Sequence, residues 1–250
     1  MSTAVSVVMI VKDGAKTIER ALQSLEPFTD VVVYDNGSSD GTQEIARKFT
    51  NVRLIEGEFT GFGDTKNRAV DYAQHDWVLI LDADEVIEAE LAQALLANVY
   101  DKNTIYRINF KVFYKERQIR HSGWNNQKVR RFYNRTVTQF NTNKVHENLM
   151  GTDMQMVNLP HGSIQHYSYH SISDFIIKAD RYSTLFAQDH KGRKNSTPLK
   201  AVFNAGYSFF RTYVLKRGFL DGYPGLVIAF SHMATNFYKY IKLYEANRER

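Results

Sequence analysis

The segment Trp77-Val78-Leu79-Ile80-Leu81-Asp82-Ala83-Asp84-Glu85 is an apolar run that ends abruptly in acid. Such a run, bounded by polar turns, suits a strand buried on both faces of a parallel sheet. Residues i and i+2 of a strand point the same way, so Asp82 and Asp84 are expected to converge at the strand's end. Two carboxylates held together repel unless a cation lies between them. An all-oxygen pair suits Mg²⁺ or Mn²⁺, ions commonly shared with a substrate's phosphates. The chain is therefore expected to handle a phosphorylated substrate.

The residues before this segment alternate strand and helix signals. Val5 to Val11 is a continuous apolar run, followed by Ile18, Ala21, Leu22 and Leu25 at helical spacing. A second strand, Val31 to Tyr34, stops at the loop Asp35-Asn36-Gly37-Ser38-Ser39-Asp40-Gly41. A helix from Thr42 to Phe49 and a strand from Val52 to Ile55 come next. Gly61-Phe62-Gly63 opens a helix to about Ala73, and Trp77 to Leu81 is then the fourth strand. This alternation predicts a parallel sheet covered by helices, in which ligands bind beyond the carboxyl ends of the strands. Asp35 and Asp82 both fall there.

After a helix over Glu88–Val99 the texture changes. Ile105 to Tyr114 and Lys128 to Tyr133 alternate apolar and polar residues, which predicts an antiparallel extension reaching roughly to His166. From Ser173 the pattern is helical, broken by the basic stretch His190 to Pro198. The last fifty residues or so interleave aromatics with lysine and arginine, a mixture that suits either packed core or an anionic membrane surface.

Composition narrows the function classes. The 250 residues include no cysteine, which excludes disulfides, thiolate nucleophiles and Cys-based zinc sites. A net charge of +5 favours anionic partners, but no recognised nucleic-acid motif accompanies it. The N-terminus lacks a charged n-region and reads as a buried strand, not a signal peptide. No stretch reaches the roughly 18 apolar residues of a membrane-spanning helix, so a cytoplasmic or peripheral protein is expected.

Each motif also has a structural reading. The acids of Asp82-Ala83-Asp84-Glu85 could cap a helix, and Asp35 to Thr42 could be a tight turn. As a functional loop, the latter offers Asp35 or Asn36 to a nucleobase or ribose. Lys66 could face a uracil or diphosphate at a helix N-terminus. His146 alone is more often structural, and His121, His161 and His170 have weaker cases than His166. Asp82-x-Asp84-x-Val86 also fits a haloacid-dehalogenase-like phosphatase motif, but it lies on the wrong strand and lacks the later acidic cluster. A nucleotidyltransferase would need a Gly-rich loop where Lys12-Asp13-Gly14-Ala15-Lys16-Thr17 stands.

Lys12-Asp13, the Asp35–Thr42 loop, Gly61-Phe-Gly-Asp-Thr-Lys-Asn-Arg68 and Leu81-Asp-Ala-Asp-Glu85 together resemble glycosyltransferase family 2, inverting nucleotide-sugar transferases. The resemblance implies an α/β GT-A fold over residues 1–170, Rossmann-like and mostly parallel with an antiparallel extension. A helical C-terminal appendage over 171–250 would contact the acceptor or a membrane surface. It implies a nucleotide site of Val11, Asp35, Asn36, Lys66, Asp82 and Ala83, with Asp84 and His166 as ligands of Mg²⁺ or Mn²⁺. Lys144-Val-His-Glu147, the segment around His166, Lys178-Ala-Asp-Arg181 and Arg217-Gly-Phe-Leu-Asp221 further resemble bacterial lipopolysaccharide inner-core glucosyltransferases. That implies a UDP-sugar donor, a core heptose or lipid-linked saccharide acceptor, and work at the inner face of the bacterial inner membrane. Glu147 is then the candidate base, in a His146-Glu147 pair where the family commonly has two acids. Arg120, Arg130, Arg131, Arg181 and Arg217 are expected to engage acceptor phosphates.

Overall fold

The computed structural model describes residues 3–125, 127–141, 148–151 and 153–248. The first strands are β1 (Val5–Val11), β2 (Asp30–Asp35), β3 (Val52–Glu56) and β4 (Trp77–Ile80). Between them lie α1 (Ile18–Gln23), α2 (Thr42–Ala46) and α3 (Phe62–Asp71). Then follow β5 (Glu85–Ile87), α4 (Ala89–Ala97), β6 (Thr104–Tyr114), β7 (Arg117–Gln118), β8 (Gln127–Asn134) and β9 (Gln155–Tyr169). Three long helices complete the chain: α5 (Ile172–His190), α6 (Pro198–Phe210) and α7 (Tyr223–Ala246).

Among the described residues the strands form one sheet in the order β3-β2-β1-β4-β8-β6-β9-β5, with β7 paired to β6. The pairs β3–β2, β2–β1 and β1–β4 are parallel, whereas β4–β8, β8–β6 and β9–β5 are antiparallel. The expected α/β sheet with a parallel core and an antiparallel extension is therefore present, as are the C-terminal helices. All six residues of β2 are buried, as continuous apolar strands between helix layers should be. From Tyr106 onward β6 instead alternates buried and half-buried positions. The chain runs outward from β1 through β2 to β3, then returns to place β4 on the other side of β1. That reversal creates a switch point at the carboxyl ends of β1 and β4, where open α/β sheets bind ligands.

Two compact units divide the chain: Met1–Lys111 with Asn126–His166, and Val112–Asn125 with Tyr167–Arg250. The first has a core built from Val8, Val32, Val78, Ile80, Ile105 and Tyr133 among others. The second packs Tyr114, Ile119, Phe175 and Ile228 together. In the second unit, Ser171 and Asp174 form a capping box on α5, and Pro198 starts α6 behind the Thr197 cap. α7 begins with a close approach: a Cβ on Gly225 would lie 1.8 Å from the Gly218 carbonyl oxygen, so only glycine fits. Among the described residues no helix is long and apolar enough to cross a membrane.

The strands β5 and β7 are not foreseen in the sequence, since two or three residues carry too little periodicity to be read. The structure also ends α2 at Ala46, before the expected Phe49, and carries β9 on to Tyr169, past His166.

His232 on α7 supplies a pH-dependent element in the second unit. Its Nδ1 lies 3.0 Å from Thr212 Oγ1. Burial pushes its pKa down to about 4, helped by the cations Lys216, Lys239 and Arg211. An unfolded histidine titrates near 6.5, so between those values the unfolded chain binds the extra proton and stability falls as pH falls. His232→Gln should remove this term. Urea titrations at pH 7 and pH 4.5 are expected to show the variant losing about 1–3 kcal/mol less than the parent on acidification. Equal losses would show that His232 charges freely in the folded state.

Candidate active site

The loops that follow β1, β2 and β3 are laced together before any ligand is considered. Asp35 closes β2 fully buried, and its carboxylate accepts hydrogen bonds from Gly37 N, Ser38 N, Ser38 Oγ and Gln43 Nε2. Burial opposes its charge, but these donors outweigh it and hold the pKa below the ordinary value. Asn36 N donates to Val11 O at 2.8 Å, and Asn36 Nδ2 to Gly57 O at 3.1 Å. Asp13 N donates to Ser38 Oγ and Gly14 N to Thr42 Oγ1, which joins the first two loops. A Cβ on Gly14 would meet Val11 Cγ2 at 2.7 Å and Ala83 Cβ at 3.4 Å. The bare backbone at Gly14 thus lets Val11 and Ala83 approach across the switch point.

Beyond β4 the acids separate into two sets. Strand alternation does not govern Asp82 and Asp84, because β4 ends at Ile80 and both lie in the turn that follows. Asp82 Oδ2 accepts from Arg131 at 2.7 Å, and Lys66 Nζ stands 3.9 Å from Asp82 Oδ1. Asp84 Oδ2 instead meets His166 Nε2 at 3.2 Å. The sheet itself makes this second contact, since β5 and β9 pair with Glu85 opposite His166. The His166 ring also packs 5.0 Å from that of Phe110.

Glu85, the next acid, is fully buried. Its Oε1 accepts from the same Arg131 nitrogen at 2.7 Å, and its Oε2 accepts from Asp82 N at 2.9 Å. The placement of Arg131 has a local cause in β8. The register with β6 jumps from Tyr106 opposite Phe132 to Arg107 opposite Arg130, which leaves Arg131 as the extra residue. A bulge of this kind bends the strand and re-aims the side chain, here onto two carboxylates. Arg131 was expected among the groups that engage acceptor phosphates; it is instead enclosed between Asp82 and Glu85.

Electrostatics follow from this packing. Burial opposes the charge on Asp82, but Arg131 and then Lys66 outweigh it and hold the carboxyl well below the usual range. Burial raises Glu85 to about 7; Arg131 pulls it down while Asp82 pushes it up. For His166 burial disfavours the cation, yet its hydrogen bond and charge pairing with Asp84, backed by Glu85 and Asp82, raise the pKa. Asp82 is thus satisfied by cations of the protein, whereas Asp84 faces a histidine, itself a metal ligand when neutral.

Among the described residues no group of three or more His, Cys, Asp or Glu side chains is gathered to hold a metal. Asp84 and His166 are two such ligands in contact. Mg²⁺ and Mn²⁺ shared with phosphates are commonly held by only one or two carboxylates, so Asp84 fits such an ion, with His166 beside it able to add a ligand once neutral.

The structure thus brings together Val11, Asn36 and Ala83 on one side and Lys66, Asp82, Asp84 and His166 on the other. Asp35 lies beneath the first set, turned into its own loop. Lys66 is buried, its Nζ 5.5 Å from the centroid of the Phe140 ring. His146 and Glu147 lie outside the described residues. His161 pairs with exposed Glu90, and His121 with Asp221 in the second unit. Glu85 was read only as part of the acidic motif and Arg131 only as an acceptor contact; their pairing with each other is what sequence reasoning missed. No local signal marks that contact, because it depends on the register slip between β6 and β8.

A family model described as Glycosyl transferase family 2 matches residues 6–158. The chain is 28% identical over 253 residues to an uncharacterized glycosyltransferase of Rickettsia prowazekii (strain Madrid E), covering 96% of this chain and 86% of that one. It is 25% identical over 229 residues to the lipopolysaccharide core biosynthesis glycosyltransferase LpsC of Rhizobium meliloti (strain 1021), covering 84% and 83%. Among solved structures, it is similar to the mannosyltransferase PcManGT from Pyrobaculum calidifontis in complex with GDP-Man and Mn2+. That likeness has a TM-score of 0.50 at 18% identity and covers 93% of this chain and 74% of the other. It is a likeness of fold.

Proposed function

This chain belongs to glycosyltransferase family 2, and we propose that it transfers a hexose, glucose in the first instance, from a UDP-sugar with inversion. The acceptor would be a heptose of a lipopolysaccharide core or a similar lipid-linked saccharide, reached from the cytoplasmic face of the membrane. The observation that carries this reading is the acidic turn at the switch point, with Asp84 against His166 and Asp82 against Arg131 and Lys66. The similarity to LpsC supports the acceptor class, because that protein is named for lipopolysaccharide core biosynthesis.

In this reading Val11, Asn36 and Ala83 border the nucleoside, and buried Asp35 holds the loop that presents Asn36. Asp84 and His166 would hold Mg²⁺ or Mn²⁺. When bound, that ion would neutralise charge developing on the departing diphosphate, a contribution of several kcal/mol. Arg131 and Lys66 keep Asp82 ionised and fixed beside the ribose. The acceptor hydroxyl oxygen attacks the anomeric carbon as the bond to the diphosphate breaks. UDP departs with the bonding electrons, and Glu147 takes the hydroxyl proton. A single displacement inverts the centre with no covalent intermediate.

Glu147→Gln should keep UDP-sugar affinity while turnover falls about 10²–10⁴-fold, the usual worth of a general base. Steady-state kinetics with a UDP-binding titration would separate the two, and unchanged turnover would place the base elsewhere. The reading as a whole is tested by UDP release from a panel of UDP-sugars, with and without truncated lipopolysaccharide and EDTA. Release that requires both the acceptor and a divalent ion is expected; release from none of the panel would refute the donor class.

A further inference from the structure

We infer that one face of α6 is a docking surface for an anionic lipid membrane. This builds on the membrane setting of the proposed function and commits it to a named element. Leu199, Phe203, Tyr207 and Phe210 recur at spacings of four, four and three, within roughly 80° of the helix circumference. All four are exposed, Leu199 at 67% and Phe203 at 69%. The opposite face is also apolar, and there Ala201 and Ala205 are buried as α6 packs on α7. A surface helix normally turns a polar face to water. This one is apolar on both sides, so its outer stripe lacks a partner among the described residues of the second unit. The π-helical turn Arg211–Leu215 and the 3₁₀ turn Gly218–Asp221 continue the pattern, with Val214, Leu215, Phe219 and Leu220 exposed.

Charge selects the occupant. The second unit carries sixteen lysines and arginines against seven aspartates and glutamates, a formal +9, while the first unit is at −4. Lys200 borders the stripe on α6, and Arg211, Lys216 and Arg217 follow it. A second copy would bring the same positive charge against itself, whereas an anionic leaflet complements it. Exposed Phe, Tyr and Leu beside Lys and Arg is the composition that beds into a headgroup region without crossing the bilayer.

The test uses the full chain and sedimentation with vesicles of phosphatidylglycerol and phosphatidylcholine, against phosphatidylcholine alone. Binding is expected only to the anionic vesicles and should weaken in 0.5 M salt. Phe203→Glu with Tyr207→Glu should reduce it at least tenfold, whereas Val99→Glu, an exposed apolar site of the first unit, should leave it unchanged. Thermal melts confirm that both variants fold, and turnover on a lipid-free core oligosaccharide should match the parent. A parent that ignores anionic vesicles, or a double variant that binds them as the parent does, would overturn the inference. So would a dimer that the double variant dissociates, because the stripe would then be occupied by a second copy. Loss of turnover on a lipid-free acceptor by the parent itself would count against the proposed function, not this surface.

Discussion

Asp84→Ala is expected to lower kcat/KM for sugar transfer about 10³-fold and to abolish the response to Mg²⁺ or Mn²⁺ in the same step. The size follows from the several kcal/mol that a bound cation contributes on the leaving diphosphate, at tenfold per 1.36 kcal/mol. Coupling between the two effects follows from geometry. Asp82 is claimed by Arg131 and Lys66, whereas Asp84 pairs with His166, a residue able to share an ion. The fold should survive, since Asp84 caps no helix and its contact with His166 is only half-buried. Initial rates of UDP release across a metal titration provide the readout. A variant that retains activity without metal would move the diphosphate clamp away from this turn.

Arg131→Met should destabilise the fold strongly. Its guanidinium stands between Asp82 and fully buried Glu85, both within 2.7 Å. Removing one partner of a buried ion pair typically costs about 3–5 kcal/mol, because the remaining charge has no compensation. That is a large part of the roughly 5–15 kcal/mol that stabilises a domain. Without Arg131 the carboxyl of Glu85, already pushed up to about 7, takes up a proton at pH 7, so the stranded charge is that of Asp82 and adding Glu85→Gln should change stability little. Lys66 remains near Asp82 and limits the damage on that side. Urea titrations at pH 7 of the parent, the single and the double variant would show this. A single variant within about 1 kcal/mol of the parent would mean that the pair is solvated and that the bulge at Arg131 serves no electrostatic purpose.

The elements that could be read from the chain are those whose burial is nearly uniform or mostly alternating. Val5–Val11 is a continuous apolar strand, and Thr104–Tyr114 alternates, so composition and period alone identify both. The turn after β4 was readable as acidic but not as divided. A period of two makes Asp82 and Asp84 equivalent, and only the end of β4 at Ile80 and the pairing of β5 with β9 separate them. Glu85 and Arg131 were hidden for a related reason. Their contact needs a three-residue strand and a register slip, features set by long-range pairing instead of local pattern. Asp35 shows the opposite case. The loop was readable, but its carboxylate is consumed by Gly37, Ser38 and Gln43, so it holds the loop together instead of reaching out of it.

The central claim is that the acidic turn clamps a nucleoside diphosphate through a divalent ion. Calorimetric titration of UDP into the parent and into Asp84→Ala, each with Mn²⁺ and with EDTA, tests it most directly. The account predicts binding by the parent that requires Mn²⁺, and no Mn²⁺-dependent gain in the variant. Equal UDP binding by both proteins with and without the ion would contradict it.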